Sequence, residues 1–354
     1  MIFSLRQGGA ERVLVSLANE LTSLGFKVDV LLIGAPQAET PAYPLSPDVE
    51  LNSIAEPVRS QRQGIHRAMA VFLRLFRLRK ALSEGSYDCV FSFTRDVNLL
   101  CLIASIGLRF RLVVSERNHP LRFRGTSALR RFLVRVLYPK AHAVVVQTDE
   151  IARHYSRCRN VTVIPNPVIR PRRHVTDEAG GEPRIVGAGR LVPQKGFERF
   201  LEAAALVRSE GFSNQIFVFG EGPERKNLEV LAFAKGLGKE VFPGQVPDLM
   251  GALKPGDVFV LSSRFEGFPN VLMEAMAVGA APVAFDCLSG PSELIEDGIS
   301  GFLVREGDVS GMCEKICVLL HDSDKRRKIS AEAMRVVDKY SLSAIAVKWL
   351  SLVE

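Results

Sequence analysis

Nowhere in the 354 residues do two cysteines stand at Cys-x-x-Cys spacing, although six are present: Cys89, Cys101, Cys158, Cys287, Cys313 and Cys317. Several lie in apolar stretches where a free thiol packs as a small hydrophobe, so a reduced compartment is expected rather than a disulfide framework. The six histidines are scattered without ligand spacing, and neither an essential metal nor another cofactor is expected. No apolar run approaches the length of a membrane span, and no basic, apolar, small-residue leader opens the chain; a protein neither secreted nor membrane-spanning is expected. Gly187-Ala-Gly189 lacks the third glycine of a G-x-G-x-x-G turn, which argues against a nicotinamide-binding dehydrogenase on a doubly wound sheet. No helix-turn-helix, aromatic RNA-binding signature or zinc module is present, which argues against nucleic acid as a partner.

What is present is an ordinary globular balance, 47% hydrophobic and 24% charged, over a length that suits two domains. Apolar strand patterns alternate with helical ones. A first series covers 2–5, 28–33, 89–93, 112–115, 143–147 and 161–165; a second covers 184–189, 215–220, 241–246, 257–262 and 281–285. Two doubly wound parallel sheets are expected. Pro165-Asn-Pro167 and the polar stretch after it mark the hinge between them. The first strand, Ile2 to Leu5, has only a few residues before Gly8, and a start slightly upstream of Met1 is expected from that.

The densest chemistry lies in Ser263-Arg-Phe-Glu266-Gly-Phe-Pro-Asn-Val-Leu-Met-Glu274. A buried strand over 257–262 and a helix over 270–278 place Glu266 on a strand-to-helix loop, where ligands of open α/β sheets bind. Free backbone N–H groups from Gly267 through Phe268, Pro269 and Asn270 to Val271 would meet sugar hydroxyls or phosphate oxygens at the helix start. Pro269, lacking an N–H, contributes shape instead. Glu266 would accept from sugar hydroxyls, and Glu274, one turn further in, from the vicinal diol of a ribose. Two isolated glutamates are as often a helix cap and a solvated residue. Here Phe268, Leu272, Met273 and Met276 make a surface helix implausible, and a charge beside them needs a partner.

Two cations, Arg190 and Lys195, follow the strand at 184–189 and precede a helix at 197–208. A planar guanidinium fork and a compact ammonium together suit a departing diphosphate, although a lone Arg and Lys on a loop are more often merely solvated. Gly8 and Gly9 precede a helix over 10–24, where the backbone can come close to a ligand, or simply turn.

Taken together, these pieces resemble the retaining glycosyltransferases of family four, the "glycosyl transferases group 1" set. Glu266 and Glu274 match its E-x7-E motif, Gly189-Arg190-Leu191 through Lys195-Gly196 its G-R-L-x-x-x-K-G loop, Gly220-Glu-Gly-Pro223 its G-x-G-P turn, and Gly8-Gly9-Ala-Glu-Arg12 its amino-terminal motif. The resemblance spans most of the chain and implies the α/β GT-B fold, with two doubly wound Rossmann-like domains facing a central cleft. It implies an acceptor domain at 1–167, a nucleotide-sugar domain at 168–340, and a last helix in 341–354 crossing back onto the first domain. It further implies transfer of a hexose or N-acetylhexosamine with retention of configuration, from a UDP-sugar in preference to GDP-mannose. Arg190, Lys195 and Glu266 then take the catalytic positions. Gly8, Gly9, Gly189, Gly220, Gly267 to Val271 and Glu274 line the donor.

On the acceptor side stand Glu116, Arg117 and His119, just after the strand at 112–115; Arg117 occupies the place where the family often has a histidine. Which of Arg117 and His119 nears the reactive carbon is open. Charge adds a second indication. Met1 to Val168 carries 23 Lys and Arg against 13 Asp and Glu, net +10, leaving −3 for the remainder. Arg59 to Lys80 interleaves seven basic residues with Met69, Val71, Phe72, Leu73, Leu75, Phe76 and Leu78, and 122–140 is basic as well. A basic amphipathic helix favours an anionic bilayer surface, each basic residue adding about 1 kcal/mol near it, or a lipid diphosphate. A helix packed on the sheet with a solvated face is the plainer account. The expected acceptor is therefore a polyprenyl-diphosphate-linked saccharide of surface glycan assembly, met at the cytoplasmic face of the membrane. A sucrose-type transferase with a soluble acceptor and a non-enzymatic binding protein that kept the fold are the alternatives.

Overall fold

The computed structural model describes residues 1–6, 8–36, 40–55, 65–117, 127–168 and 181–353, with the backbone alone at 65–68. His119, Arg59, Arg62, the Arg67 side chain, the 122–126 part of the second basic segment and all but the last three residues of the expected hinge stretch at 170–183 lie outside these. The chain divides into two units, Met1–Pro167 together with Leu342–Glu354, and Val168–Ser341.

The first unit runs α1 (Gly9–Ser23), β1 (Asp29–Leu32), β2 (Glu50–Ser53), α2 (Ile65–Glu84), β3 (Cys89–Phe93), α3 (Arg95–Ala104), β4 (Arg111–Ser115), α4 (Ala128–Leu137), β5 (Ala143–Val146), α5 (Asp149–Arg153) and β6 (Val161–Val163). Strands β3, β4, β5 and β6 pair in that order, all parallel, and β1 pairs with β2 separately. The Ile2–Leu5 stretch is not a full strand. Ile2 makes a single parallel bridge to Leu32, while Phe93 N–H donates to the Met1 carbonyl on the other side at 3.0 Å. β2 escapes the hydrophobic pattern because Glu-Leu-Asn-Ser is polar and only half-buried. The unit also holds the chain's last helix, Leu342–Leu350, whose Trp349 is fully buried against Phe91 and Phe93 at ring separations of 5.0 and 5.6 Å. Such aromatic contacts add about 0.5–1.5 kcal/mol to plain burial.

In the second unit, β7 (Ile185–Ala188), α6 (Phe197–Ser209), β8 (Ile216–Phe219), α7 (Arg225–Ala234), α8 (Leu249–Ala252) and β9 (Val258–Leu261) come first. Next come α9 (Asn270–Val278), β10 (Ala281–Asp286), α10 (Pro291–Leu294), β11 (Phe302–Arg305), α11 (Val309–His321) and α12 (Ser323–Asp338); the Leu342–Leu350 helix of the first unit is α13. Its parallel sheet has the order β11-β10-β9-β7-β8. The strand runs read as nearly unbroken apolar segments because helices cover both faces, which is what a parallel sheet requires. The expected strand at 241–246 is instead a 3-10 turn at Lys239–Val241 and one bridge from Gly244 to Phe219. Pro243 removes a ladder donor and Gly244 sits at φ +98°, so a regular strand cannot form there.

Chain order and spatial order part company at one place. From β7 the chain goes outward to β8, then returns to lay β9 on the opposite side of β7, so the connections leave β7 and β9 in opposite directions. The crevice beyond the carboxyl ends of such a strand pair is where open α/β sheets bind ligands. At the opposite ends of the same strands, Arg184 and Asp257 form a buried fork, with Nε to Oδ1 at 3.0 Å, and Lys254 N–H also donates to Asp257 at 2.8 Å. That pair fixes the β7–β9 register.

Candidate active site

The loops that leave β7 and β9 are tied to each other residue by residue. Arg264 N–H donates to the Gln194 carbonyl at 2.8 Å, Gln194 Nε2 to the Phe265 carbonyl at 2.9 Å, and the Ser262 hydroxyl to the Lys195 carbonyl at 2.9 Å. Gly196 permits this approach. It sits at φ +60°, and a Cβ there would lie 2.3 Å from the Ser262 carbonyl oxygen. The loop after β10 joins from the far side, with Glu266 N–H donating to the Leu288 carbonyl at 3.1 Å and the Ser289 hydroxyl to the Gly267 carbonyl at 3.2 Å.

This scaffold brings together side chains 71 residues apart. Lys195 Nζ meets Glu266 Oε1 at 2.7 Å, and the Ser263 hydroxyl donates to the same oxygen at 2.5 Å. Side-chain exposure is 17% for Lys195 and 5% for Glu266, so the carboxylate is the buried partner and the ammonium reaches solvent. Ser263 was not singled out in the sequence; its place three residues before Glu266 on a buried strand end is the only signal of it. Arg190, on the same loop as Lys195, is exposed, its carbonyl accepts from Val192 N–H at 2.8 Å, and its guanidinium makes no hydrogen bond or ion pair among the described residues. Among the described residues, the site therefore holds one paired cation, one cation without a side-chain partner and a buried carboxylate at the switch point.

The start of α9 only partly matches the expected row of free donors. Asn270 N–H turns back to the Phe268 carbonyl at 3.0 Å, and Leu272 and Met273 both donate to Pro269. The N–H groups of Gly267, Phe268 and Val271 donate to nothing among the described residues. Phe268 packs its ring 5.8 Å from Tyr340, and Pro269 fits against Gly290, where a Cβ would stand 2.4 Å from its Cδ. Glu274 is 7% exposed on a helix otherwise lined by Leu272, Met273 and Met276. Gly189 and Gly220 serve the backbone: both have strongly positive φ, and a Cβ on Gly220 would fall 1.9 Å from the Gly189 carbonyl oxygen. Asp322-Ser-Asp324, an Asp-x-Asp sequence away from these loops, is taken up by the fold. Asp322 caps α12 through Lys325 N–H at 2.8 Å, and Asp324 pairs with Arg327.

Family models cover nearly the whole chain: "Glycosyltransferase Family 4" over residues 7–170 and "Glycosyl transferases group 1" over 169–336. A Campylobacter jejuni protein named GalNAc-alpha-(1->4)-GalNAc-alpha-(1->3)-diNAcBac-PP-undecaprenol alpha-1,4-N-acetyl-D-galactosaminyltransferase is 30% identical, over 100% of this chain and 97% of its own length. The chain belongs to this glycosyltransferase family. A second C. jejuni enzyme, named N-acetylgalactosamine-N,N'-diacetylbacillosaminyl-diphospho-undecaprenol 4-alpha-N-acetylgalactosaminyltransferase, is 26% identical over 99% and 98% of the two chains. Among solved structures, the lipopolysaccharide outer core galactosyltransferase WaaB matches at TM-score 0.77 and 15% identity, covering 99% and 98%. Anabaena HepE in complex with UDP matches at 0.75 and 20%, covering 99% and 97%. The fold is GT-B, and the protein is a hexosyltransferase by family.

The remaining expected residues of the glycosyltransferase lie in the first unit. Gly8 is the extended N-cap of α1, its carbonyl accepting from Tyr43 at 3.2 Å, and Gly9 opens the helix at the surface. Glu116 is fully buried, and its Oε2 accepts from Arg95 Nε at 3.0 Å, Tyr138 at 3.1 Å and Tyr155 at 3.0 Å, while its Oε1 has no partner among the described residues. Burial raises its carboxyl above the usual range against the pull of Arg95, and pushes both tyrosines well up. Its part is to brace the carboxyl end of β4 against α3 and the segment after α4. Arg117, next along, is held between the rings of Phe93 and Trp349, 5.1 and 5.3 Å from its Cζ, and donates to Asn166 at 2.6 Å. With no carboxylate paired to it among the described residues, burial draws this guanidinium down to about 9. Its Nε and Nη2 are buried without partners among those residues.

Proposed function

We propose that this glycosyltransferase moves a hexose or N-acetylhexosamine from a UDP-sugar, with retention of configuration, onto a polyprenyl-diphosphate-linked saccharide in bacterial surface glycan assembly. The observation that carries the donor half is the Lys195–Glu266–Ser263 cluster with the free Arg190 beside it, at the carboxyl ends of β7 and β9. Arg190 and Lys195 take the diphosphate as it departs, Glu266 orients the sugar, and Glu274 holds the ribose. The acceptor hydroxyl attacks on the face the diphosphate leaves, a phosphate oxygen taking its proton, so the protein's part is positioning and charge stabilisation. Lys195 comes to this task already held by Glu266, which limits the rotamer freedom lost on binding.

The acceptor half is supported by the two C. jejuni relatives, whose names specify diphospho-undecaprenol saccharides, and by the first unit's surface. On α2 the large apolar residues Met69, Val71, Phe72 and Phe76 are all more than 40% exposed, and on α4 Leu129 and Phe132 are at least 60% exposed beside Arg130, Arg131 and Arg135. Both helices pack on α3, which sets their basic, apolar faces on one side of the sheet. We place that side against an anionic bilayer at the cytoplasmic face. No helix among the described residues is long and apolar enough to cross a membrane.

The test is thermal stabilisation by UDP, GDP, ADP, their sugar conjugates and NAD. A nucleotide at 100 times its Kd stabilises the folded state by about 2.7 kcal/mol. A shift with UDP and UDP-sugars is expected, together with loss of turnover by two orders of magnitude or more, about 3 kcal/mol, in Arg190→Ala at unchanged melting temperature. A shift with NAD alone, with none in a folded sample, or unimpaired Arg190→Ala would overturn the donor assignment. Flotation with anionic vesicles separates the lipid acceptor from a soluble one.

A further inference from the structure

Side chains alternate between the two faces of the first unit's sheet, and at the carboxyl end of β4 the two faces are furnished differently. Val114 and Glu116 turn to one face, where Arg95, Tyr138 and Tyr155 bind the Glu116 carboxylate. Val113, Ser115 and Arg117 turn to the other, the face on which Trp349 of α13 lies. Strands β5 and β6 add Gln147 and Asn166 to this second face, just past their own carboxyl ends. Arg117 Nη1 and Gln147 Nε2 donate to one atom, Asn166 Oδ1, at 2.6 and 3.0 Å. All three side chains belong to residues more than nine-tenths buried. Even so, Arg117 Nε and Nη2, the Ser115 hydroxyl, Trp349 Nε1 and Gln147 Oε1 have no partner among the described residues.

Polar side-chain atoms buried this deeply are nearly always bonded, and a buried guanidinium calls for a counter-charge as well. Fixing α13 to the sheet explains the contacts of Arg117 with Phe93 and Trp349, but it leaves the Nε–Nη2 edge without a task. Those two N–H groups point the same way, a planar fork matched to a pair of oxygens on one anion. The chain does not bring its own anion on the segment that follows, since 118–126 contains neither Asp nor Glu. Gln147 Oε1 can only accept, so a hydroxyl belongs beside that anion. One cation faces the place among the described residues, which suits the single charge of a carboxylate better than a phosphate. A sugar acid carries both groups, a carboxylate and hydroxyls next to it. The carboxyl ends of parallel strands are also where such a ligand arrives.

We propose that Arg117 and Gln147 recognise a sugar carboxylate, the Arg117 Nε–Nη2 fork taking its two oxygens and Gln147 Oε1 accepting from a neighbouring hydroxyl. This rests on the glycosyl-transfer reading above and deepens it: one of the two sugars that the enzyme joins is a uronic acid.

The test is calorimetric titration with pairs that differ only in the acid group. UDP-glucuronic acid is compared with UDP-glucose, and methyl glucuronide with methyl glucoside, the second pair both with and without UDP. The acid is expected to bind at least about tenfold tighter in one pair, the first assigning the carboxylate to the transferred sugar and the second to the acceptor. Arg117→Lys keeps the charge without the fork and is expected to lose that preference. Gln147→Glu, which sets a carboxylate of the chain itself beside the fork, is expected to lose it too and to melt no lower than the wild type. Binding of UDP alone, measured in the same series, reports on the donor reading separately, because the methyl glycosides address the carboxylate site without it. No preference in either pair, a preference that survives in Arg117→Lys, or tighter binding of glucose 6-phosphate than of glucuronate would overturn the proposal.

Discussion

Replacing Lys195 by methionine should destabilise the second unit more than replacing Glu266 by glutamine, although both remove the same 2.7 Å ion pair. The asymmetry comes from burial. Without Lys195, Glu266 keeps its charge at 5% exposure with the Ser263 hydroxyl on the same oxygen as its remaining donor. Stranding a buried charge in this way costs about 3–5 kcal/mol, and the nearby solvent that reaches Lys195 sets the expectation at the lower end, about 3 kcal/mol. Without the Glu266 charge, Lys195 swings its ammonium into water along its apolar stem, and glutamine still accepts from Ser263, so about 1 kcal/mol is lost. In a unit of this size 1 kcal/mol moves the melting temperature by about 2–4 °C, so drops of about 6–12 °C and 2–4 °C are expected. The double variant should recover most of the difference, since it leaves no charge unpaired. Urea titration with a double-mutant cycle gives the coupling directly. Equal losses in the two single variants, or a stable Lys195→Met, would mean that water reaches Glu266 and that the pair does not hold the two loops together.

Gly220→Ala should abolish folding of the second unit or cost it about 4 kcal/mol or more, because its Cβ would lie 1.9 Å from a backbone oxygen at φ +150°. Gly211→Ala, at φ +91° with nothing within 4 Å, should cost only about 1 kcal/mol, and circular dichroism melts of the two separate steric clash from backbone preference. For the chain beginning at Met1, burial lowers the α-ammonium from 8.0 to about 6. The unfolded chain then binds more protons between pH 6 and 8, so stability should rise with pH across that window by about 2–3 kcal/mol and be lost again on acidification through it. Acetylating the terminus should flatten the profile; an unchanged pH dependence would show that another group titrates.

Much of the second unit follows from local sequence. Apolar runs of four to six residues separated by helical periods give β7, β8, β9 and β10, and α9 runs from Asn270 to Val278 as the pattern predicts, because a Pro before it and Gly279 after it bound the helix at both ends. The loop position of Glu266 and the placing of Arg190 and Lys195 after β7 follow from the same periodicity. Where local signals were weak the reading failed: β2 is a polar edge strand, β11 is a sheet-edge strand with an arginine among its four residues, and Pro243 with Gly244 interrupts an apolar run that otherwise resembles a strand.

The sequence by itself determined the element types, the parallel sheets, the family motifs and the residues offered to a donor, since these depend on periodicity and on chemistry carried within a dozen residues. Only the tertiary structure decided how those residues are used. Lys195 is bound to Glu266, Arg190 is left free, Glu116 is withdrawn into a tyrosine cage, and Arg117 is enclosed by Phe93 and Trp349 from opposite ends of the chain. For Lys195, Glu116 and Arg117 the outcome turns on burial and on a partner 20 to more than 200 residues away, and for Arg190 on exposure. Charge energetics depend on distance and solvent access, quantities that a one-dimensional pattern does not contain.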